Sequence, residues 1–311
     1  MYTDGSTYNG TAYLEKTTDV TNDSSPGGNV FNQVTSIVNS GSGRLLFANT
    51  TPDIFNDETT IVSSGSNAIW MAHNSIGNQF NNNVIIESTG ASTGIEFGRG
   101  GTGDVTLADT YTVTVGAGGF STGTLRFRNF TQTGLTAQNL TLTGTGYFMN
   151  QNAIWNGNVQ FIAPRMYTNT TTYNGSAYLE KNGATNDDSP GGNVINQDAT
   201  IAYSGLNNFR FATVDPDIFN GTTTVINNNG GNQVRLADIA VGTQFNGNII
   251  IESINGGGVA FGLGNGDATL AATQTVSRSK KAGRLSARQC AGPQRARRVL
   301  SARDGYDGVI G

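Results

Sequence analysis

Cysteine and histidine are nearly missing from this sequence. Its 311 residues include one cysteine, Cys290, and one histidine, His73. A single cysteine excludes an intrachain disulfide, and no spacing of cysteines and histidines is typical of a zinc site. His73 lacks the flanking motif that a catalytic histidine would have. We therefore expect no metal and no cofactor, and we expect His73 to be a surface residue.

Charge is also scarce, and it is unevenly distributed. Charged residues make up 13% of the chain. Residues 1–276 carry nine basic and twenty acidic side chains, whereas residues 277–311 carry nine basic and two acidic ones. The acidic balance of residues 1–276 argues against nucleic acid as their partner. No apolar run approaches the ~20 residues that a membrane helix needs, so we expect no membrane span.

Patterns of helical periodicity are missing as well, while glycine, asparagine and threonine are abundant. The chain contains 43 glycines. Glycine and asparagine suit tight turns because both tolerate positive φ angles. Threonine, valine, isoleucine and the aromatic residues suit strands. This composition predicts an all-β protein with many turns.

What the chain has instead is internal repetition. The segment "TYNGTAYLEK" at residues 7–16 returns as "TYNGSAYLEK" at residues 172–181, and "SPGGNV" and "PDIFN" each occur twice as well. These matches define a long repeat over residues 1–165 and a partial second copy over residues 166–276. A catalytic site is seldom built twice at a fixed offset, whereas a structural repeat is. We therefore predict one repetitive domain over residues 1–276.

A shorter period lies inside the long repeat. An asparagine that follows an aromatic or aliphatic residue recurs at gaps of 23, 24 and 25 residues, at Asn9, Asn32, Asn56 and Asn81, and again at Asn156, Asn174, Asn196, Asn220 and Asn246. Such a period indicates a solenoid, a propeller or another repeat array. We predict a parallel β-solenoid, or β-helix, of about 11–12 coils of roughly 23 residues. A propeller with two units per blade is the alternative.

The solenoid assigns a role to these asparagines and to the residues before them. Equivalent residues of successive coils stack about 4.8 Å apart, and identical amides in register can hydrogen-bond along the stack. We therefore predict an asparagine ladder. Phe31, Phe55 and Phe80 each precede a ladder asparagine, and we predict that they stack in the core.

One strand of each coil predicts an outer face. Side chains alternate between inside and outside along a strand, and Leu45–Leu46–Phe47 is matched by Phe209–Arg210–Phe211 in the second copy. The middle position changes from apolar to charged, which burial would not tolerate. We predict an outward column that includes Leu46 and Glu96. Its candidate binding residues are Trp70, Arg126, Phe148, Arg210 and Arg235.

Two interpretations of this column remain open. Exposed aromatic and arginine side chains could contact sugars or acidic polymers. A column that varies between copies suits multivalent contacts of low specificity better than a single site. The other interpretation is a solvated face whose charges discourage association between sheets.

The pattern changes at Ser277. Residues 277–311 carry an arginine every few residues, where the repeat predicts a sequence like residues 114–130. A basic tail that binds an anionic surface or nucleic acid is one interpretation. The other is a shift of reading frame, which would make this segment an out-of-frame tail. We expect it to be disordered under either interpretation. Met1 also falls inside repeat sequence, so we expect an N-terminally incomplete product.

Three further motifs bear on catalysis and ligand binding. Polysaccharide lyases and hydrolases built on β-helices use clustered acids, and the nearest cluster is Asp215 with Asp217. Its counterpart in the first copy keeps only Asp53, which favours a turn-forming role. The Gly/Asp-rich segments 98–104 and 262–267 are faintly similar to calcium-binding repeats. Short threonine rows hint at ice-binding arrays, but ordinary strands also contain them.

The nested repeats "YNG-x-AYLEK", "SPGGN", "PDIFN" and "QFN" resemble those of very long bacterial cell-surface or secreted β-solenoid proteins, the filamentous-haemagglutinin-like and adhesin class. The resemblance covers residues 1–276. It implies export, an extracellular or cell-surface location, and an adhesive or stalk role without catalysis. We expect a segment of a larger exported protein, with cell-surface glycans or other copies of itself as partners. A carbohydrate-active β-helix enzyme and a calcium- or ice-binding module are the alternatives.

Overall fold

A computed structural model describes residues 1–17, 21–253, 255 and 257–278 and the strand at 285–287. Within these ranges the chain is all-β, without a helix. Parallel strands stack as a β-solenoid of about 11 turns, with roughly 24 residues per turn. This confirms the predicted fold class. The stacking of parallel strands from coil to coil also excludes the propeller, whose blades are separate four-stranded sheets.

The chain divides into two compact units, Met1–Ala163 and Pro164–Gly311. The strands of unit 1 are β1 (Thr7–Tyr8), β2 (Ala12–Lys16), β3 (Asp23–Ser24), β4 (Val30–Phe31), β5 (Thr35–Asn39), β6 (Leu45–Leu46), β7 (Ile54–Phe55), β8 (Thr59–Ser63), β9 (Ile69–Met71), β10 (Asn78–Phe80), β11 (Val84–Ser88), β12 (Gly94–Phe97), β13 (Val105–Leu107), β14 (Val113–Phe120), β15 (Thr124–Arg128), β16 (Phe130–Gln132), β17 (Gln138–Thr141), β18 (Tyr147–Gln151), β19 (Ile154–Trp155) and β20 (Val159–Ala163).

The strands of unit 2 are β21 (Arg165–Asn169), β22 (Thr172–Tyr173), β23 (Ala177–Lys181), β24 (Asp187–Asp188), β25 (Val194–Ile195), β26 (Ala199–Tyr203), β27 (Phe209–Arg210), β28 (Ile218–Phe219), β29 (Thr223–Asn227), β30 (Gln233–Leu236), β31 (Thr243–Phe245), β32 (Ile249–Ser253), β33 (Gly258–Phe261), β34 (Ala268–Leu270), β35 (Val276–Arg278) and β36 (Leu285–Ala287).

Successive strands of a turn belong to three different sheets, which we name A, B and C. In unit 1, sheet A has the order β1-β4-β7-β10-β13-β16-β19, sheet B the order β2-β5-β8-β11-β14, and sheet C the order β3-β6-β9-β12-β15-β18. In unit 2 the orders are β22-β25-β28-β31-β34, β23-β26-β29-β32-β35 and β24-β27-β30-β33-β36. Each residue therefore stacks on its equivalent one turn away.

Aromatic side chains on sheet A stack inside unit 1. The ring centroids of Tyr8 and Phe31 are 4.7 Å apart, those of Phe31 and Phe55 are 4.8 Å apart, and those of Phe55 and Phe80 are 4.7 Å apart. All three pairs are nearly parallel, with interplanar angles of 7° or less. The predicted aromatic stack is confirmed, and the ring spacing matches the strand spacing.

The asparagine ladder is confirmed in both units. In unit 1 each amide donates to the Oδ1 atom of the preceding coil, over 2.8 Å from Asn32 to Asn9, 2.9 Å from Asn56 to Asn32 and 2.9 Å from Asn81 to Asn56. The ladder of unit 2 joins Asn174, Asn196, Asn220 and Asn246 over 2.7 to 2.8 Å. Asn156 differs, because it donates to the Gln132 carbonyl over 2.6 Å.

The repeated "SPGGN" segment places a glycine where neighbouring coils approach closely. Gly27 has a φ of +103°, and its counterpart Gly191 has a φ of +106°. A Cβ atom on either glycine would lie 1.9 Å from a carbonyl oxygen of the next coil, that of Thr51 or Asp215. No other residue type fits this position, which explains why the segment is retained in both copies.

The lysine that ends each "AYLEK" segment points into the molecule. Lys16 and Lys181 are 4% and 0% exposed. The Lys16 Nζ atom lies 3.1 Å from the Asp23 carboxylate. The Lys181 Nζ atom donates to the carbonyls of Gly183 and Leu206 over 2.9 and 3.2 Å, and burial lowers the pKa of Lys181. Lys181 therefore stabilises the turn between sheets B and C, and Lys16 links β2 to β3.

The predicted boundary after residue 276 falls inside a strand. Strand β35 pairs with β32, with Ser277 opposite Ile250 and Arg278 opposite Ile251. The short strand β36 pairs with β33. The rest of the predicted basic tail, including Cys290, lies outside the described residues. In the described part of the chain, no helix has the length and apolarity needed to cross a membrane.

Candidate functional site

Sheet C carries the predicted outer column. In unit 1, Leu46 is in register with Trp70, Trp70 with Glu96, and Glu96 with Arg126. Trp70 and Arg126 are half-buried. Leu46 is 8% exposed and Glu96 is 6% exposed. The column therefore exists in unit 1, but its middle is less open to water than alternation alone predicts.

Phe148 does not belong to this column, so that part of the prediction is wrong. Phe148 is in register with the inward residue Leu125. It is 1% exposed, and its ring centroid lies 4.5 Å from that of Phe161. The column position is taken by Met149, opposite Arg126. Since Tyr147, Phe148 and Met149 are all apolar or aromatic, the sequence left the inward residue ambiguous.

Three basic or imidazole side chains surround the indole of Trp70. The Arg44 Cζ atom lies 3.6 Å from the centroid of the Trp70 ring, and the Arg99 Cζ atom lies 5.2 Å from it. The His73 ring centroid is 4.9 Å from the Trp70 ring. A guanidinium at such a distance is attracted by the electron-rich face of the indole. Trp70 therefore anchors charged side chains contributed by the two neighbouring coils.

Glu96 forms ion pairs within its own coil and with the next coil. Its Oε2 atom accepts from Arg99 Nη1 over 2.8 Å and lies 2.7 Å from Arg126 Nη1. Arg126 also donates to the Met149 sulfur over 3.3 Å. Arg128 donates to the Arg99 carbonyl over 3.3 Å. We call Arg44, Arg99, Arg126 and Arg128, with Trp70 and Glu96, the arginine cluster.

The arginine cluster carries more positive than negative charge. Four guanidinium groups face one carboxylate, which gives a formal excess of three positive charges. Burial lowers the pKa of Arg44, and the positive charge of Arg99 lowers it further, but arginine remains charged at neutral pH. Burial, Arg44 and Arg99 also lower the pKa of His73. His73 is half-buried and neutral at pH 7, so it does not add to the charge.

Several donors of this region lack an acceptor. The buried N–H groups without a hydrogen-bond partner among the described residues include Arg44 Nε, Trp70 Nε1, Arg126 Nε and Arg128 Nε. Buried donors are usually satisfied, so a group of exceptions at one place is unusual. The region therefore holds a local excess of both positive charge and hydrogen-bond donors.

The corresponding face of unit 2 is balanced in charge. Arg210 and Arg235 are in register. Arg210 pairs with Asp188, with 2.6 Å between Nη2 and Oδ2, and lies 3.6 Å from Asp238. Arg235 lies 3.8 Å from Asp238, which occupies the position that His73 has in unit 1. Two arginines thus face two aspartates.

The aspartates of the candidate acidic cluster have different surroundings. Asp217 is 1% exposed, and its Oδ1 atom accepts from the backbone and side-chain nitrogens of Asn193, each over 2.9 Å. Asp53 makes the same two contacts with Asn29, also over 2.9 Å. Asp215, in contrast, is exposed. Asp53 and Asp217 therefore link neighbouring coils as part of the backbone support.

The Gly/Asp-rich segments also have a structural explanation. The Asp104 carboxylate accepts from the Gly77 backbone nitrogen over 2.5 Å, and Asp267 accepts from the Gly242 nitrogen in the same way. Each aspartate thus joins its turn to the preceding coil. Among the residues that the structure describes, no three His, Cys, Asp or Glu side chains are grouped so that they could hold a metal ion.

Sequence reasoning missed three members of the arginine cluster. Arg44 immediately precedes β6, Arg99 lies two residues after β12, and Arg128 ends β15. None of them occupies the middle of an alternating triplet, so the column argument did not reach them. A usable signal was present, because the cluster contains four of the five lysines and arginines of residues 1–163.

No protein-family model matches the chain, and no curated protein or solved structure matches it.

Proposed function

We propose that this chain is a non-catalytic, structural and adhesive segment of a larger exported protein at the cell surface, of the filamentous-haemagglutinin-like and adhesin class. The contrast between the inside and the outside of the coils carries this proposal. Asn29 and Asp53 make the same contacts as Asn193 and Asp217. On the outside of sheet C the two units differ.

This contrast is what a scaffold with a variable surface requires. A solenoid grows by adding coils, each of which contacts only its neighbours, so internal residues must repeat while external ones need not. In sheet C, Trp70 of unit 1 corresponds to Arg235 of unit 2, and both are half-buried. Contacts along such a surface suit glycans or other copies of the chain, where several weak contacts add by avidity.

The adhesive role is tested with the full 311-residue chain. Beads coated with the chain are expected to bind host or neighbouring cells, and beads coated with an inert protein of similar charge are the control. Equal binding by both kinds of bead would contradict adhesion. Incubation with a panel of polysaccharides is expected to release no reducing ends, and their release would overturn the non-catalytic proposal.

The cell-surface location needs a separate measurement. Antibodies raised against the chain are expected to label intact cells of the source organism, and brief protease treatment of those cells is expected to remove the label. Labelling only after permeabilisation would contradict export.

A further inference from the structure

The two units differ in the charge balance of sheet C. Unit 1 has four arginines and one glutamate there, whereas in unit 2 Arg210 and Arg235 are compensated by Asp188 and Asp238. We propose that the arginine cluster of unit 1 is the binding site for an anionic polysaccharide that bears carboxylate or sulfate groups. This inference rests on the proposed adhesive function, and it assigns the binding to one place rather than to the whole column.

The guanidinium donors of the cluster are only partly used. Each guanidinium has five N–H groups. No side-chain hydrogen bond or ion pair joins Arg44 to another described residue; its contact is the Trp70 ring, 3.6 Å away. The Arg99 side chain uses one nitrogen for Glu96, and Arg128 uses one for the Arg99 carbonyl. Free donors remain on these half-buried side chains, and carboxylate or sulfate oxygens match their geometry.

The extent of the cluster favours a polymer over a single anion. Its members come from β6, β9, β12 and β15 or from residues beside them, which are consecutive strands of sheet C. Three strand spacings of about 4.8 Å give a length of about 14 Å. One carboxylate or sulfate occupies only a part of that length. A chain with an anionic group on successive or alternate sugars would contact several arginines together.

The surroundings of the cluster favour a sparsely charged sugar polymer over nucleic acid. Residues 1–163 contain eleven acidic and five basic side chains, so the cluster is a small positive area on an acidic unit. Nucleic acid carries a charge every ~1.7 Å of duplex and would meet this repulsion on all sides. An acidic polysaccharide has wider charge spacing, and the half-buried Trp70 offers an apolar ring surface beside the charges.

The matched control is already present in the chain. In the full-length protein, R44Q/R99Q removes two positive charges from unit 1, and R210Q/R235Q removes two from unit 2. Both double variants have the same net charge. Binding is measured by biolayer interferometry to dextran sulfate, polygalacturonate, neutral dextran and duplex DNA at several salt concentrations. Circular dichroism and a thermal melt establish that each variant is folded.

The wild-type chain is expected to bind dextran sulfate, polygalacturonate or both, and to leave dextran and DNA unbound. R44Q/R99Q is expected to lose at least tenfold in affinity, with a smaller dependence of affinity on salt. R210Q/R235Q is expected to stay within twofold of the wild type. Equal losses in the two variants, or preferential binding of DNA, would overturn the proposal.

A gain of binding provides a test that does not depend on removing arginines. Glu96 engages Arg99 and Arg126, so E96Q releases both guanidinium groups while keeping the side-chain shape. We expect E96Q to bind the favoured polysaccharide several-fold more tightly, and unchanged or weaker binding counts against the proposal. If no polysaccharide binds while the coated beads still adhere to cells, this inference fails and the adhesive function stands.

Discussion

Asp53 and Asp217 show how a charged residue type is accommodated between coils. In each, one carboxylate oxygen accepts two hydrogen bonds from an asparagine, while the Oδ2 atom has no partner within the described structure. Burial raises the pKa of Asp53 to about 6 and that of Asp217 to about 7. Both carboxyl groups thus keep a proton at pH values where an exposed aspartate has lost it.

These raised pKa values predict that the stability of the fold falls as the pH rises. An aspartate in the unfolded chain has a pKa near 3.9, so between pH 4 and 7 the folded state binds more protons than the unfolded state. The free energy of unfolding therefore decreases over this range and levels off above it. For Asp217 the decrease is on the order of 3 kcal/mol. Urea denaturation at pH 4, 5.5, 7 and 8 measures it.

The variant D217N isolates this contribution. An amide keeps the acceptor that Asn193 uses and cannot ionise, so D217N is expected to flatten the pH dependence and to be more stable than the wild type at pH 8. D215N changes an exposed aspartate two residues away and is expected to keep the wild-type slope. A D217N slope equal to that of D215N would contradict the buried-acid explanation.

Position within the asparagine ladder sets the effect of losing an amide. Asn220 both donates to Asn196 and accepts from Asn246. Within the described ladder, Asn246 only donates, to Asn220. At about 1 kcal/mol per hydrogen bond, N220A is expected to lower the free energy of unfolding by about twice as much as N246A. Urea denaturation compares the two, and equal losses would contradict the idea that the number of ladder hydrogen bonds sets the effect.

At the scale of the strand, the sequence period predicted where the strands form. It did not predict, for every strand, which side chains face inward and which face outward. The period of 23 to 25 residues predicted the coils, the asparagine ladder and the aromatic stack. Alternation failed at Phe148, because neighbouring apolar residues gave no contrast between inside and outside. It also could not reveal the arginine cluster, because Arg44 and Arg99 lie beside the strands and meet only when separate coils stack on Trp70.

The turns before β4 and β25 each depend on a glycine, Gly27 or Gly191, at a positive φ and in close contact with the next coil. In unit 1, G27A would place a methyl group 1.9 Å from the Thr51 carbonyl oxygen at a φ of +103°. We expect a loss of at least about 3 kcal/mol in the free energy of unfolding. At Gly10 an added methyl group meets nothing within 4 Å, so G10A is expected to change stability by less than about 0.5 kcal/mol. Thermal or urea melts compare them, and a G27A protein as stable as G10A would contradict the close approach.

For the whole molecule, each coil contacts only its nearest neighbours. This stacking limits how far the destabilising effect of one substitution spreads along the chain. Phe55 lies between Phe31 and Phe80 and is 2% exposed. F55A removes both ring contacts and is expected to destabilise the adjacent coils by about 3 to 5 kcal/mol. In a one-dimensional array the energy of each coil depends on itself and its neighbours.

Hydrogen exchange followed by mass spectrometry tests this limit directly. In F55A, amides of β4, β7 and β10 are expected to lose most of their protection. Amides of β29 and β32, in unit 2, are expected to exchange at wild-type rates, because Phe55 contacts only the neighbouring coils. I54A is the matched control, since Ile54 precedes Phe55 on the same strand but is only half-buried, and a smaller loss is expected. Uniform loss of protection across both units in F55A would mean that the chain unfolds as one cooperative body, and the coil-by-coil description of its stability would then be wrong.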